Sequence, residues 1–506
     1  MFKALSEKYP RDKDLPARAW QIARLRQILD GTIYDCLRYP FSKEYDSKTY
    51  VPVHERRPSV RYNLCRTVVE DSVSLLFGEG RFPALHCTEE ASRKALTALV
   101  TETCLDGVMS DAALRGSVGS VVVRMRVLEN RVFFDVMNTE YLTPTWKANA
   151  PDTLERVTER YKATGAELLA AGYAIAPADL DAKFWFQRVW TETAEEWYDP
   201  QRIDPPNRPT RRRKAAEAVV VDAPTPPTID EKRTVEHDLG FVPMVWIKNL
   251  PGGTDPDGWC TFEPAADSQI EIEYQLSQAG RGLRYSSDPM LMIRETMGDE
   301  NAPITRSASN VIQVDKDGDA KLLEITGAAT DAVITYVKGV REFALETIHG
   351  NRSTPDKVAT AQSGRALELL HEPLIWLAGK MRTPYGAALL GLVRMVIRVA
   401  NEKTVEIAGD PVKFPEKVDL SLRWGPWFHS TDHDKLEQAQ ALRQHTEAGH
   451  MSRETAVMII GDTYAVPDPD AEMAKIAADE AAADARTVAL AQATQVQVKA
   501  TQQLPD

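Results

Sequence analysis

His429-Ser-Thr-Asp-His-Asp434 gathers most of what metal or acid–base chemistry requires: two imidazoles four residues apart, with carboxylates beside them. A helix containing both His429 and His433 would put the rings on one face, as a zinc pair needs. Thr431-x-x-Asp434 instead reads as a capping box with Asp in the usual Glu place. That starts the helix after His429 and separates the two rings. The other histidines scatter. Gly116-Ser-Val-Gly-Ser lacks the Gly-x-Ser-x-Gly order of a nucleophile elbow. Gly78-Glu-Gly80 lacks the third glycine of a dinucleotide loop and follows a helix rather than a strand. No Gly-rich loop ends in a phosphate-binding lysine. Asp315-Lys-Asp-Gly-Asp has its Gly at the fourth place and Thr326 at the twelfth, against the sixth and a Glu in a calcium loop. It reads as the turn of a hairpin between residues 310–314 and 320–325. Cys36, Cys65, Cys87, Cys104 and Cys260 contain no C-x-x-C spacing, and the odd, sparse count fits buried thiols in a reducing compartment. No catalytic residue, cofactor or metal is expected.

Two basic stretches remain. His349-Gly-Asn-Arg-Ser-Thr-Pro-Asp-Lys357 carries Asn351, Arg352 and Lys357 between two long helical segments. It is either a plain surface connection or a phosphate contact. Arg211-Arg212-Arg213-Lys214 lies in a Pro-rich, apolar-poor stretch over residues 199–233, which reads as a mobile insertion with a solvated basic run.

The elements that must position these residues belong to a chain of 506 residues with a formal net charge of −13. At 43% hydrophobic and 27% charged it is globular, with length for about three domains. The acidic balance argues against a general phosphate-gripping protein. The start turns polar too soon for a signal peptide, and residues 387–400 are too short and too interrupted by Arg394 and Arg398 to span a bilayer. A soluble chain made in the cytosol, with no membrane partner, is expected.

Trp20, Ile22, Leu25, Ile28 and Leu29 have helical spacing, stopped by Gly31. Asn63 is placed to cap a helix burying Leu64, Val68, Ser72, Leu75 and Leu76. One helix is expected over 89–117, then strands over 120–127 and 131–137 joined at Glu129-Asn130. Strand patterns return at 183–190, 196–198, 239–249 and 418–424. Residues 267–285 carry a thin stripe of Ile270, Tyr274, Ser277, Arg281 and Tyr285, which suits a helix with like neighbours or a wet surface. A helix is also expected over 331–349. A longer one over 363–402 holds Pro373 and Pro384, which should kink or break it. Beyond residue 470 the chain is Ala-rich and helix-prone. The class is α+β, predominantly helical.

Four stretches, in order, carry a resemblance. They are Asn63-Leu-Cys-Arg-Thr-Val-Val-Glu-Asp-Ser-Val-Ser-Leu-Leu-Phe-Gly, Leu239-Gly-Phe-Val-Pro-Met-Val-Trp-Ile-Lys-Asn and Ser363-Gly-Arg-Ala-Leu-Glu-Leu-Leu. The fourth is Leu422-Arg-Trp-Gly-Pro-Trp-Phe followed by Ala448-Gly-His-Met-Ser-Arg-Glu-Thr-Ala. This succession, over about residues 60–465, resembles the portal proteins of tailed bacteriophages, the head-to-tail connectors of the capsid vertex.

The resemblance implies a portal fold around a central channel, in a homo-oligomer of about twelve copies. Residues 1–260 and 404–428 would form the wing, 261–285 and 331–349 the stem helices, and 286–330 the clip. Residues 350–362 would form the tunnel loop, with Asn351, Arg352 and Lys357 touching double-stranded DNA. A kinked helix over 363–403 and a crown with its tail over 429–506 would follow. The implied partners are the terminase large subunit, the major capsid protein, scaffold and the head–tail adaptor, and the implied location is the virion. Residues 429–506 hold 13 acids against 6 Lys and Arg, and such a wall repels phosphate over a screening length of about 8–10 Å. Two other readings stay open: a cytosolic enzyme built on His429, His433 and nearby acids, and another head or adaptor protein of a phage.

Overall fold

Helix α1 (Ala17–Leu29) forms where expected, burying Ile22, Leu25, Ile28 and Leu29 along one face, and Gly31 turns the chain away at φ 70°. In α2 (Leu64–Phe77), the Asn63 side chain accepts the Arg66 backbone N–H at 3.1 Å and caps the first turn. The single helix expected over 89–117 is two, α3 (Glu90–Glu102) and α4 (Leu105–Gly116). They part at Cys104, which takes a left-handed φ of 48°. Apolar periodicity hides this break, because Leu96 and Leu99 before it and Leu105 and Met109 after it are all buried. The β-branched Thr101 and Thr103 weaken the helix locally. This computed structural model describes residues 1–12, 14–78, 80–203, 227–287, 290–296, 314–323, 328–350, 369, 371–427, 432–464, 466 and 469–501.

Strands β1 (Ser120–Leu128) and β2 (Arg131–Asn138) form the expected hairpin, with Glu129 and Asn130 at φ 50° and 65°. Two successive positive values suit the twist of a two-residue turn. Strands β3 (Leu142–Lys147) and β4 (Ala150–Thr164) were not anticipated, because β4 is dominated by charged residues on its outward side. Next come β5 (Lys183–Trp190), β6 (Ala194–Trp197), β7 (Gln201–Arg202), β8 (Val235–Glu236) and β9 (Met244–Lys248). One sheet runs β8-β6-β5-β4-β3, with β7 also on β5, and the other runs β9-β1-β2. The Pro-rich insertion is narrower than the sequence suggests. Gln201 pairs with Trp185, the Asp199 N–H donates to the Thr228 carbonyl at 2.9 Å, and Tyr198 bridges Ile229. Residues 199–203 and 227–233 are therefore ordered, and the basic run 211–214 lies outside the described residues.

Helix α5 (Ala266–Ser287) is followed by β10 (Met290–Thr296), β11 (Val314–Leu323) and α6 (Ala328–Thr347). The Asp315-Lys-Asp-Gly-Asp run is not a hairpin turn. It lies inside β11, which pairs antiparallel with β10. The register shifts there, from Arg294 opposite Asp319 to Thr296 opposite Val314. The turn-forming residues are accommodated as a bulge.

Helix α7 (Glu372–Glu402) is uninterrupted. Pro373 falls in its first turn, where a missing N–H is harmless, and Pro384 lies within the helix without ending it. Its length and composition would suit a membrane span. Instead Val393, Val396, Val399 and Ala400 are buried in one core with Leu96, Leu99, Met125 and Phe241.

The chain divides into two compact units, one of Met1–Gly78, Leu85–Asn351 and Trp376–Leu422, the other of Glu79–Ala84, Arg352–Ile375 and Arg423–Asp506. In the second unit α8 (Asp432–Glu447), α9 (Arg453–Thr463) and α10 (Pro469–Thr501) follow in series. Gly449 at φ 72° turns the chain, and the Ser452 side chain accepts the Thr455 N–H at 3.1 Å to cap α9.

Candidate functional site

Helix α5 carries a buried polar stripe along its inward face. Gln269, Glu273 and Ser277 are spaced at i, i+4 and i+8, and each is about as buried as the core residues Ile270 and Ile272. The segment between α1 and α2 and the first turn of α2 supply their partners. The Cys65 N–H donates to Gln269 Oε1 at 2.9 Å, the Tyr34 hydroxyl donates to Glu273 Oε2, and the Val60 N–H donates to Ser277 Oγ at 3.0 Å. The Tyr274 hydroxyl donates to the Arg56 carbonyl at 3.0 Å. Burial pushes the Glu273 carboxyl up to about 7, against the lowering pull of Tyr34, the Tyr62 N–H, Arg61 and Gln269. Burial also raises Tyr34, with the Glu273 charge adding to it. The expected stripe of Ile270, Tyr274 and Ser277 is present, and Arg281 farther along forms an ion pair with Glu44. Gln269 and Glu273 were missed because polar residues are read as outward-facing.

Helix α6 lies beside α5 and ends in a tight lock. The His349 N–H donates to the Glu346 carbonyl at 3.3 Å, and the Gly350 N–H donates to the Leu345 carbonyl at 2.8 Å. With His349 at φ 54°, this is the left-handed stop that usually carries Gly. Gly350 is pressed against α2, and a Cβ there would lie 2.6 Å from Val68 Cγ2. The chain leaving α6 is thus fixed to the core at Gly350. Asn351, Arg352 and Lys357 themselves lie outside the described residues, as does His429 and the side chain of His433.

Lys380 is a cation that sequence spacing did not single out. It is exposed on α7 and lines a cavity of about 310 Å³ with Trp259, Thr347 and His349, beside the end of α6. Helix α6 also leaves apolar side chains open: Ile334, Tyr336 and Phe343 are 39%, 52% and 70% exposed. Trp376 on α7 is 57% exposed. Tyr336 and Phe343, seven residues apart, share one face of α6, while Ile334 lies on the opposite side.

A second polar knot has no counterpart in local sequence. Arg18 holds both carboxylate oxygens of Asp257, and the Ser120 hydroxyl donates to the same carboxylate. Asn249 bridges Thr261 and the Tyr385 hydroxyl. These bonds fasten residues 249–261 to α1, β1 and α7. The Ser120 hydroxyl is committed to this knot, and Ser117 donates to the Leu114 carbonyl. Among the described residues no group of three or more His, Cys, Asp or Glu is placed to hold a metal. All five cysteines are free thiols, three of them buried and Cys104 exposed.

Comparison with known proteins adds family evidence. The model of the family described as phage portal protein, SPP1 Gp6-like, matches residues 186–486. A chain of the virion of a native gene transfer agent particle is 12% identical with a TM-score of 0.37, over 80% of this chain and 95% of that one. Curated proteins give no match.

Proposed function

The chain belongs to the SPP1 Gp6-like phage portal protein family, and from that premise we propose that about twelve copies form a ring whose channel conducts double-stranded DNA. The family is structural rather than enzymatic, and it implies a virion component that assembles as an oligomer with capsid and head proteins. The single observation carrying the proposal is the extent of the match. Residues 186–486 include α5, β10, β11, α6 and α7 in that order.

In this reading α5 and α6 are the stem, residues 286–330 the clip that meets terminase and the head–tail adaptor, and 429–506 the crown. Residues 1–260 and 404–428 form the wing that faces capsid protein and scaffold. Residues 350–362 form the tunnel loop, in which Asn351, Arg352 and Lys357 touch the DNA backbone. The exposed row on α6 supports contact with a neighbouring copy. The locked helix end at His349 and Gly350 supports a loop held at a fixed root.

Two measurements test the proposal. Native mass spectrometry with electron microscopy of the full chain should show a ring of about twelve copies with a central hole; a discrete dimer or tetramer without a channel would overturn it. Arg352→Glu with Lys357→Glu should leave the ring intact but impair DNA packaging or retention. Unchanged packaging would remove the loop from the DNA path.

A further inference from the structure

Strands β4 and β5 alternate between two faces, except that Val189, on the same side as Trp185, is also buried. Their inner face buries Val157, Ala163, Phe184, Phe186 and Trp190. Their outer face brings Arg156, Arg160, Lys162, Lys183 and Trp185 together, with Trp185 directly opposite Lys162 in the ladder. The Arg160 guanidinium lies 4.4 Å and the Lys162 ammonium 4.8 Å from the centre of the Trp185 ring. In a chain of net charge −13 this is a local reversal of sign.

One end of the strip already shows what it binds. Asp12 and Asp14 of the N-terminal segment place carboxylate oxygens 2.7 and 2.8 Å from Lys162 Nζ. The hydrogen bond from Lys162 holds the Asp12 carboxyl below its ordinary range. Two acids at i and i+2 are thus seated by a strand-borne cation. Farther along β4, Arg160 and Arg156 are exposed, and among the described residues neither pairs with a carboxylate. Alternate residues of a strand are about 6.7 Å apart, which matches the acids of an extended chain carrying them at every second position.

We propose that the outer face of β4 at Arg160 and Arg156, beside the already occupied Lys162, docks an extended acidic polypeptide segment of a partner protein. Arginine forks suit carboxylates in two-point contact, and Asp12 and Asp14 show the same chemistry at the adjoining position. The nearby Pro-rich stretch cannot be the complement by charge, since residues 211–214 carry the same sign. A nucleic acid fits less well. The Trp185 ring is half-buried and already engaged by two cations, and the acidic whole repels a polyphosphate.

The test uses the full chain and a fluorescein-labelled peptide of six Asp-Ser repeats, read by anisotropy at low salt. Arg156→Gln with Arg160→Gln should weaken binding about tenfold, since two exposed charge pairs are lost. Arg443→Gln with Arg453→Gln, the same loss of two charges on α8 and α9, should leave binding unchanged. Equal binding by wild type and the Arg156/Arg160 variant overturns the proposal, and so does an equal loss in the Arg443/Arg453 variant. A labelled 20-nucleotide single strand that outcompetes the peptide, with its own binding lost in the Arg156/Arg160 variant, also overturns it in favour of nucleic acid. Should the Arg156/Arg160 variant fail to fold, Arg156→Gln alone decides, with an expected loss of about threefold.

Discussion

Glu273 shows what a single carboxyl can impose on a helix. It is 1% exposed, hydrogen-bonded to Tyr34, and pushed by burial up to about 7, whereas an unfolded glutamate titrates at about 4.3. A folded-state value above the unfolded one means that the native chain binds this proton more tightly. Its contribution is therefore fully present below about pH 4.3, shrinks as pH rises, and is gone above about pH 7. Glu273→Gln stays neutral throughout and keeps an oxygen for the Tyr34 hydroxyl. The variant should lose this fall and be the more stable form at pH 8, by on the order of 3 kcal/mol. Urea unfolding of the full chain and the variant at pH 5 and pH 8 measures the difference. Parallel behaviour at the two pH values would show that Glu273 ionises as an ordinary surface acid.

At the scale of elements, the end of α6 depends on the close approach of Gly350 to α2. A methyl at Gly350 would lie 2.6 and 2.8 Å from the two Val68 methyls, so something must shift to admit it. Gly350→Ala should cost about 1–3 kcal/mol by overpacking. Val68→Ala should recover part of that in the double variant, a coupling that thermal or urea unfolding of the four chains reads directly. Without such coupling, the contact is not what fixes the end of α6. Gly350 was visible in the sequence only as a residue of a loop; its contact lies 282 positions away. Elements whose signals are local were legible: the Asn63 cap, the Glu129-Asn130 turn, and the bounds of α5 and α6 to within a few residues. Those decided by distant partners were not. Charged outer positions concealed β4, continuous apolar spacing concealed the break at Cys104, and pairing with β10 drew Asp315-Lys-Asp-Gly-Asp into a strand. The buried stripe on α5 is the sharpest case, because Gln269 and Glu273 are inward only through Cys65 and Tyr34.

For the whole molecule, the decisive property is what a single chain leaves uncovered. Helix α6 buries Val337, Ala344 and Leu345 within its own unit, yet Phe343 is 70% and Tyr336 52% exposed. Leaving an aromatic side chain in water forfeits roughly 1.5–3 kcal/mol that burial would contribute. In a closed ring each copy presents the same row to a neighbour, so one substitution is repeated at every interface. Phe343→Asp should therefore leave the isolated chain's melting temperature within about a degree, since an exposed side chain makes few native contacts. The same change should abolish or sharply reduce rings, because it places a charge where an aromatic anchor would be desolvated. Native mass spectrometry separates the two effects, with intact folded monomer expected in place of the ring. Rings that form as readily from the Phe343→Asp chain would place the neighbour's contact on another face, and the apolar row on α6 would then await a different protein of the head.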